Sequence, residues 1–450
     1  MNIHFISIGG SAMHNLALAL QAKGDTITGS DDAIFEPSKS RLKAKGLLPE
    51  AMGWFPEKIH EGIDAIILGM HAKADNPELI KAQELGITIY SYPEFLYEHA
   101  KNKTRVVIGG SHGKTTITSM ILHVLKYHSV EVDFMVGAQL DGFDRMVHLT
   151  DENEVIILEG DEYLSSPIDL RPKFHLYKAN IALLSGIAWD HINVFPTFEN
   201  YVEQFSQFVN TMVKGGMMVY NEEDEVVKRV VEETSNQIKK YSYKTPAYTI
   251  ENGTTILDTA EGEIPLEVFG KHNLQNLEGA RAICFHLGIG EEEFYEAIAD
   301  FTGASKRLEK IVENDKTVIY KDFAHSPSKV QATTKAVREQ YPNRKLLACL
   351  ELHTYSSLNE DFLKEYEGSL EGADEAVVFY SPHAVQIKRL KEVSETQIAE
   401  AFKRDDLIIF TEPKAFKDYL FQQKLEDTAL LLMSSGNYGG LDFQELKQLI

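Results

Sequence analysis

Residues Val106 to Thr116 read VVIGGSHGKTT, a run of β-branched residues that gives way to glycines and then to Lys-Thr-Thr. This order predicts a strand that feeds a phosphate-binding loop and then a helix. Glycines let backbone N–H groups approach an anion closely, and the helix N-terminus adds its partial positive charge. Lys114 would reach the terminal phosphates, and Thr115 lies where such loops place a hydroxyl on Mg²⁺. The glycine spacing is not the standard one, but the stretch predicts a nucleoside triphosphate site.

The composition is that of an ordinary globular enzyme. The chain has 450 residues, more than one hydrophobic core usually serves, so we expect two or three domains. A net charge of −23 argues against a nucleic-acid surface, which needs clustered Lys and Arg. The two cysteines, Cys284 and Cys349, lie too far apart in sequence to indicate a disulfide framework. The sequence shows neither a leader segment nor a bilayer-spanning apolar run, so we expect a cytoplasmic protein that does not bind a membrane.

The first hundred residues alternate short apolar runs with amphipathic stretches, which is typical of a parallel, Rossmann-like sheet. The predicted elements are strands Ile3–Ile8, Thr26–Gly29, Ala65–Leu68 and Thr88–Tyr90, and helices Met13–Lys23 and Pro77–Glu84. The turn at Gly9 and Gly10 either takes a ligand phosphate or serves plain strand-to-helix packing. Asp31, after the second strand, either accepts a hydrogen bond from a ribose hydroxyl or caps its own turn.

Polar residues follow the phosphate loop at three places. Glu159 follows the apolar strand Glu154–Leu158 and is either a second Mg²⁺ anchor or part of a solvated acidic turn. His191 follows another apolar strand and is either a ligand or a structural histidine. Asn273 and Asn276 lie one helical turn apart, where they either read a base edge or cap the helix.

A third α/β domain begins after the glycine and charge of Gly303 to Arg307. Its predicted strands are Val318–Lys321, Lys345–Leu350, Glu375–Phe379, Leu407–Phe410 and Ala429–Met433, with a helix over Ser328–Gln340. Two polar segments, Asp322 to Pro327 and Leu352 to Tyr355, follow strand ends, where α/β sheets place ligands. We therefore expect an α/β protein of three domains, over residues 1–102, 103–302 and 303–450.

Taken in order, these motifs resemble those of the Mur ligases, the ATP-dependent amide-forming enzymes of peptidoglycan precursor synthesis. The resemblance covers nearly the whole chain and rests on Ile8-Gly-Gly-Ser-Ala-Met13, Gly110-Ser-His-Gly-Lys-Thr-Thr116, Glu159-Gly-Asp-Glu-Tyr163, Asp190-His191, His272-Asn273 with Asn276, Lys306-Arg307 and Asp322-Phe-Ala-His325-Ser-Pro327. It implies a Rossmann-like domain for a UDP-sugar, a central phosphate-loop ATPase-type domain, and a C-terminal Rossmann-like domain for the incoming amine. It also implies ATP and Mg²⁺ as cofactors. We expect a monomer or a weak homodimer.

The resemblance implies a role for each matching residue. ATP would be bound by Gly110, Ser111, His112, Gly113, Lys114, Thr115, Thr116, Asn273, Asn276, Arg307 and Asp322. The catalytic residues would be Lys114, His191 and Arg307, and the metal would be held by Thr115, Glu159 and His191. The UDP-sugar would contact Gly9, Gly10, Ser11, Met13, Asp31 and His71. The amino acid or peptide would face His325, His353 and Tyr355.

With His112 inside it, the phosphate loop is similar to that of the branch of the family that acts on UDP-N-acetylmuramate. One member of this branch adds free L-alanine to the lactoyl carboxylate, and another adds the tripeptide L-Ala-γ-D-Glu-meso-diaminopimelate. The segments 159–163, 169–174 and 36–38 look like the tripeptide enzyme, whereas 353–355 is similar to the alanine-adding enzyme. We therefore expect the tripeptide as the amine, attached through an acyl phosphate, with free L-alanine as the alternative.

The chain departs from the family pattern at a few positions. The family usually has Asn and Glu shortly before the Asp-His pair, where this chain has Gly186 and Ala188. A familiar Ser-Ser pair in the first domain is Met70-His71 here.

Two rival classes explain less of the sequence. An NAD-dependent oxidoreductase explains only the first glycine turn, and a nucleotide-binding switch explains only the phosphate loop. The Rossmann-like first hundred residues disfavour the family's folate-polyglutamylating relatives.

Overall fold

The computed structural model describes residues 1–137, 143, 145–251, 253–304, 307–388, 390, 391 and 393–450. The protein is an α/β structure built mainly on parallel sheets, as the sequence predicts. The chain divides into two compact units. Unit 1 comprises Met1–Thr118, Leu125–Gly186 and Val202–Ser242, and unit 2 comprises Ser119–Val124, Ile187–Tyr201 and Tyr243–Ile450. The three predicted domain bounds stay a prediction.

The first sheet of unit 1 is parallel, with strand order β2-β1-β3-β4. Its elements are β1 (Asn2–Ile6), α1 (Ser11–Lys23), β2 (Thr26–Ser30), α2 (Ser38–Ala44), β3 (Ala65–Leu68), α3 (Pro77–Glu84), β4 (Thr88–Ser91) and α4 (Tyr92–Ala100). The first strand ends at Ile6, two residues before its predicted end, because Ser7 adopts a left-handed φ of 69°. Local capping fixes the helices, since Asn76 caps α3 and Ser91 forms a capping box with Glu94 on α4.

The second sheet of unit 1 has seven strands in the order β11-β10-β9-β5-β8-β6-β7. Its elements are β5 (Thr104–Gly109), α5 (Lys114–Tyr127), β6 (Asp133–Met135), β7 (Val147–His148), β8 (Val155–Gly160), α6 (Lys173–Leu176), β9 (Ile181–Leu184), α7 (Phe198–Thr211), β10 (Met217–Asn221), α8 (Glu225–Glu232) and β11 (Lys239–Tyr243). In the parallel register of the central strand, Gly109 lies beside Gly160 of β8 and Leu184 of β9. The tips of three neighbouring strands therefore meet at the loop that follows β5.

The longest segment of unit 2, from Tyr243 onward, starts with a small antiparallel sheet that the sequence pattern did not predict. Two helices follow this sheet. The elements are β12 (Tyr248–Glu251), β13 (Thr254–Thr259), β14 (Gly262–Leu266), α9 (Lys271–His286) and α10 (Glu291–Ile298). Threonines and charged residues dilute the apolar alternation of these strands, so their periodicity is faint.

The large sheet of unit 2 has strand order β15-β16-β20-β17-β18-β19, and only its edge strand β15 is antiparallel. Its elements are β15 (Glu309–Glu313), β16 (Val318–Asp322), α11 (Pro327–Gln340), β17 (Lys345–Leu352), α12 (Glu360–Leu363), β18 (Glu375–Tyr380), α13 (Pro382–Ile387), α14 (Glu395–Phe402), β19 (Ile408–Phe410), α15 (Pro413–Gln422) and β20 (Thr428–Met433). All five predicted strands are present. Apolar clusters cover both faces of the sheet, which is typical of parallel strands with near-continuous apolar runs.

Three short 3-10 helices complete the described elements, at Pro56–Lys58, Lys364–Tyr366 and Glu445–Leu449. Within the described residues, no helix is both long enough and apolar enough to cross a bilayer.

Candidate active site

The loop between β5 and α5 can form only with glycine at its bends. Gly110 and Gly113 have φ values of 133° and 80°, in the left-handed region that favours glycine. A Cβ on Gly110 would lie 2.1 Å from Oγ of Ser185. The amide of Ser111 donates a hydrogen bond of 2.9 Å to the carbonyl of Gly186. The loop is thereby held against the segment that follows β9.

Lys114, the first residue of α5, folds back over this loop. Its Nζ donates to the carbonyl of Gly110 and to Oε2 of Glu162, each at 2.6 Å. Burial alone would lower the pKa of Lys114, but the carboxylates of Glu162, Asp161 and Glu159 outweigh it, so the pKa is raised. The lysine is therefore held as a cation beside the loop, on a glutamate whose side chain is only 1% exposed.

Thr115 and Glu159 lie next to each other in unit 1. Oγ1 of Thr115 donates to Oε1 of Glu159 at 2.8 Å, and Oε2 of Glu159 accepts from the amide of Gly137 at 2.9 Å. Thr116, the next residue on α5, is buried. Hydroxyl and carboxylate oxygens are ligands that Mg²⁺ prefers, and it usually takes only one or two from the protein. The pair therefore fits a Mg²⁺ ion that also binds phosphate. No group of three or more His, Cys, Asp or Glu suited to a metal occurs in the part of the chain that the structure describes.

His112 and Gly186 lie against each other. A Cβ on Gly186 would lie 2.3 Å from Cε1 and 2.6 Å from Nε2 of His112. The imidazole thus occupies the space that a side chain at position 186 would enter. In this arrangement a larger residue at position 186 would displace the imidazole of His112.

At the first glycine turn, Asp31 is engaged by the protein itself. Its Oδ2 accepts from the amide of Gly9 at 2.7 Å, and a Cβ on Gly9 would lie 2.9 Å from that oxygen. Burial, the largest influence, raises the pKa of this carboxyl. Asp31 therefore holds the glycine turn, and within its own turn it makes only a 3.5 Å contact, from the amide of Ala33. The ribose contact stays a prediction.

The other predicted UDP-sugar residues differ in exposure. Gly10 is the N-cap of α1, Ser11 and His71 are exposed, and Met13 is buried. His14, which the sequence motifs did not single out, donates through Nδ1 to the carbonyl of Gly10, and Oγ of Ser38 lies 3.0 Å from the same nitrogen. The buried Nε2 of His14 has no hydrogen-bond partner. The one available sequence indication was its place one helical turn after Gly10.

Oγ of Ser7, in the same turn, is also buried without a partner. Buried polar atoms of this kind are costly unless a ligand or water completes them. The turn therefore fits a site that a polar ligand would complete.

In unit 2, the predicted adenosine residues surround the start of α9. Asn273 and Asn276 are both buried, and Nδ2 of Asn273 donates to the carbonyl of Phe269 at 2.9 Å. His272 lies beside them with its Nδ1 buried and unpartnered. Burial lowers the pKa of His272, against the opposing charge of Asp322. The start of α9 thus places buried polar side chains directly after the exposed Lys271.

Arg307 and the segment after β16 come together in unit 2. The guanidinium carbon of Arg307 lies 4.8 Å from the ring centroid of Phe323. Asp322 accepts hydrogen bonds of 2.7 Å from the amides of Leu308 and Ala324. The carboxylate of Asp322 therefore ties the start of β15 to the end of β16, and Arg307 stacks beside it.

A charged cluster joins the two histidine motifs of unit 2. Nζ of Lys329 lies 3.7 Å from Oδ2 of Asp190, whose Oδ1 accepts from the amide of His191 at 2.8 Å. Burial alone would raise the pKa of Asp190, but the charge of Lys329 acts together with the other neighbours of the carboxylate to outweigh burial, so the pKa is lowered. Nδ1 of His325 donates to the carbonyl of Phe323 at 2.8 Å. Burial first, and Lys329 second, lower the pKa of His325 to about 4, so its imidazole is neutral at pH 7.

His353 and Tyr355, predicted to face the amine, lie on the surface after β17. The side chain of His353 is 42% exposed, with its Nδ1 at 3.6 Å from Oε1 of Glu351. Tyr355 is 49% exposed, and Nζ of Lys388 lies 5.1 Å from its ring centroid. The structure does not place these two residues within the buried cluster of Asp190, Lys329 and His325.

Unit 1 thus assembles the phosphate-loop residues with Glu159, and unit 2 assembles Arg307, Asp322 and His325. Glu162 and Lys329 complete these clusters, although the motifs assigned them no role. For Glu162 an indication existed, because the Glu-Gly-Asp-Glu run offers three carboxylates after one strand. The individual roles stay predictions.

Three family models match successive parts of the chain. The models described as Mur ligase family, catalytic domain, as Mur ligase middle domain, and as Mur ligase, glutamate ligase domain match residues 2–104, 108–284 and 306–436. A UDP-N-acetylmuramate–L-alanine ligase of Clostridium acetobutylicum is 31% identical over 448 residues, which cover 96% of this chain and 94% of the relative.

Solved structures share the fold. The UDP-N-acetylmuramate–alanine ligase MurC of Thermotoga maritima superposes with a TM-score of 0.70 at 19% identity, covering 97% of this chain and 96% of its own. The murein peptide ligase Mpl of Psychrobacter arcticus does so with 0.67 at 20% identity, covering 100% and 98%. At these identities the likeness extends to the fold alone. Taken with the family models and the Clostridium relative, the fold confirms that the chain belongs to the Mur ligase family, the ATP-dependent ligases that form a carbon–nitrogen bond.

Proposed function

We propose that the chain joins the lactoyl carboxylate of UDP-N-acetylmuramate to the α-amine of an L-alanyl group at the expense of ATP. The observation that carries the proposal is the 31% identity, over almost the whole chain, to a relative named UDP-N-acetylmuramate–L-alanine ligase. The phosphate loop supports the ATP half of the reaction, because Lys114 is held there as a cation and Thr115 lies beside a carboxylate.

Two amines satisfy this proposal, and both present the same nucleophile. The name of the Clostridium relative supports free L-alanine, which the motifs alone placed second. The tripeptide L-Ala-γ-D-Glu-meso-diaminopimelate stays a second candidate, because residues 169–174 look like the tripeptide-adding enzyme.

The chemistry requires activation, because oxide is a poor leaving group from a free carboxylate. A carboxylate oxygen would attack the γ-phosphorus of ATP, and the bond to the β,γ-bridging oxygen would break to release ADP. The amine would then attack the carbonyl carbon of the acyl phosphate, inorganic phosphate would leave, and the nitrogen would lose a proton. Both reactants of the first step are anions, so charge neutralisation is the main catalytic need.

The residues of unit 1 meet this need. Lys114 would exchange its contacts with Glu162 and the Gly110 carbonyl for phosphate oxygens. Thr115 and Glu159 would hold Mg²⁺, which supplies positive charge to the phosphates when bound. The backbone amides of the loop from Gly110 to Thr116 would contact the same phosphates.

The residues of unit 2 would serve the nucleoside, the transferred phosphoryl group and the amine. Asn273, Asn276 and Asp322 would bind adenosine, and Arg307 would contact the phosphoryl group in transfer. His191 would add a metal contact. Because Nδ1 of His325 is engaged with a carbonyl, its Nε2 is free of a proton and can accept a hydrogen bond from the incoming amine. We assign the UDP-sugar to residues 1–102, ATP to 103–302 and the amine to 303–450.

The test is release of orthophosphate by the purified full chain with ATP, Mg²⁺ and UDP-N-acetylmuramate. L-Alanine, L-serine, glycine and the tripeptide are offered separately. The proposal predicts phosphate release that requires both the UDP-sugar and an L-alanyl amine. Phosphate release that does not require the UDP-sugar contradicts the proposal. Absence of phosphate release with all of these amines also contradicts it.

A further inference from the structure

Residues 169–174 look like the tripeptide-adding enzyme, but the proposed chemistry gives them no role. In the structure they bring the chain back to the residues that directly follow β8. The amide of Lys173 donates to the carbonyl of Tyr163 at 3.0 Å, and the amide of Phe174 donates to the carbonyl of Asp161 at 3.1 Å. The segment is therefore tied, through its backbone, to the acidic turn beside the phosphate loop.

The side chain of Lys173 adds a charged contact to this tie. Its Nζ donates to Oδ2 of Asp161, and it lies 5.7 Å from the ring centroid of Tyr92 and 5.6 Å from that of Tyr163. Both distances are within the range of cation–π attraction. Burial, the largest influence, would lower the pKa of Lys173, but Asp161 and the other neighbours of the ammonium outweigh it, so the pKa is raised. Lys173 is thus a cation held in one place, with its side chain 12% exposed.

Lys173 and Lys114 share the carboxylates of this part of unit 1. Lys114 bonds to Glu162 at 2.6 Å, whereas Lys173 bonds to Asp161, the residue before it. Each lysine also feels the charge of the carboxylate that the other lysine binds, and Lys114 feels that of Glu159 as well. Lys173 therefore neutralises a carboxylate that would otherwise act on Lys114 alone.

This division matters when ATP binds. In the proposed function, Lys114 leaves Glu162 and moves to phosphate oxygens. Opposite charges attract more strongly in a buried site than in water, so a further unpaired carboxylate would hold Lys114 back. The same carboxylate would repel the phosphates. With Lys173 on Asp161, only the contact with Glu162 has to be exchanged.

We infer that Lys173 is a positioning residue of the phosphate site, which holds Asp161 so that Lys114 is free to exchange Glu162 for the phosphates of ATP. It acts through Lys114 and touches no substrate. The inference rests on the proposed function, because that function assigns Lys114 to ATP. It also gives the segment of residues 169–174 a role in ATP binding.

The experiment measures the Kd of ATP, with Mg²⁺ and without UDP-sugar, by isothermal titration calorimetry on the full chain. Lys173→Met removes the charge, because methionine is unbranched and flexible like lysine but neutral. Its Kd for ATP should rise about tenfold, as the loss of one charge-assisted contact allows. In phosphate release, KM for ATP should rise with little change in kcat.

Asp161→Asn separates a role of charge from a role in holding the loop. The asparagine oxygen can still accept from the amide of Tyr163, a contact of 3.1 Å at Oδ1 of Asp161. Because Lys114 then faces one carboxylate fewer, this variant should bind ATP at least as tightly as the unaltered chain. The double variant Lys173→Met/Asp161→Asn should also regain tight binding. A tie that only held the loop in place would weaken ATP binding in all three variants.

Lys103→Met is the matched control. Nζ of Lys103 donates to Oδ2 of Asp133 at 2.6 Å, and the two side chains are 9% and 0% exposed. Lys103 directly precedes β5, whereas the phosphate loop directly follows that strand. Both lysine variants should lower the melting temperature, because each leaves a carboxylate without its cation. Only Lys173→Met should weaken ATP binding.

An unchanged Kd for ATP in Lys173→Met would overturn the inference. So would an equal weakening in Lys103→Met, or weaker binding in Asp161→Asn. If Lys173→Met does not fold, Asp161→Asn decides by its direction alone. Failure of the unaltered chain to bind ATP, or binding that Lys114→Ala leaves unchanged, contradicts the proposed function instead, so the two failures are distinguishable.

Discussion

The phosphate loop of unit 1 and the start of α9 in unit 2 differ in how their polar side chains are paired. In the loop, Lys114 and Thr115 already bond to carboxylates. At the start of α9, Nδ1 of His272 is buried without a hydrogen-bond partner. A ligand at the loop would therefore replace internal contacts, whereas this nitrogen has none to replace. Removing a loop residue should cost both stability and activity.

The largest expected effect comes from Lys114→Ala. Phosphate release should fall by about a thousandfold or more, because a preorganised charge on the transferring phosphoryl group is lost. The melting temperature should fall as well. The side chain of Glu162 is 1% exposed and would lose its cation, and a broken buried ion pair costs about 3–5 kcal/mol.

The matched control for this prediction is Lys114→Ala/Glu162→Gln, which also removes the buried charge of Glu162. It should regain much of the stability, measured by thermal unfolding, and none of the activity. Near-normal turnover in the single variant would remove Lys114 from the mechanism. An unchanged melting temperature in the single variant would contradict the inference that Lys114 stabilises the buried carboxylate of Glu162.

Glu159→Ala should have the next largest effect, on the metal requirement. Loss of one carboxylate from a Mg²⁺ site should raise the Mg²⁺ concentration for half-maximal phosphate release about 10- to 100-fold. Glu154→Ala is the control, because Glu154 is exposed and lies just before the other end of β8. If the two variants show the same metal titration, Glu159 is not a metal ligand.

Gly186→Ala should act on ATP binding through His112. A Cβ at position 186 would lie 2.3 Å from Cε1 of His112, so the imidazole must move, at a cost of about 1–3 kcal/mol. We expect KM for ATP to rise several-fold with a smaller change in kcat. In a His112→Ala background the same change should have little effect, because the clash is absent. Equal effects in both backgrounds would contradict this coupling.

The smallest expected effect concerns pH and His325. Its pKa is lowered from 6.5 to about 4 in the folded chain, so between these values the unfolded chain binds a proton that the folded chain does not. Stability should therefore fall as the pH drops from 6.5 toward 4 and should not depend on this residue above 6.5. His325→Gln should flatten that decline. His14, His175 and His272 also have lowered pKa values and act in the same direction, so only the difference between variant and unaltered chain is informative.

Short-range sequence patterns predicted most of the fold and the core of the loop site. The run from Val106 to Thr116 could be interpreted because strand, glycines, lysine and helix follow one another along the chain. The pairing of Lys114 with Glu162 could not be predicted in this way, because it joins residues 48 positions apart. The contact between the rings of Trp189 and Phe362, at 5.8 Å, could not be predicted either, because it joins segments that are far apart in the sequence.

Two local features also escaped prediction, for physical reasons. The strand from Asn2 ends early because Ser7 takes a positive φ, a conformation that its residue type rarely adopts. The antiparallel sheet from Tyr248 to Leu266 carries alternating exposed and partly buried residues, so its apolar periodicity is faint. Tertiary contacts, not propensity, decide these segments.

The most direct test of the whole account follows one oxygen atom. UDP-N-acetylmuramate labelled with ¹⁸O in its lactoyl carboxylate is turned over with ATP and the preferred amine, and the released phosphate is analysed by mass spectrometry. An acyl phosphate predicts one ¹⁸O atom in each phosphate, carried from the carboxylate. Product formation with unlabelled phosphate would contradict the mechanism.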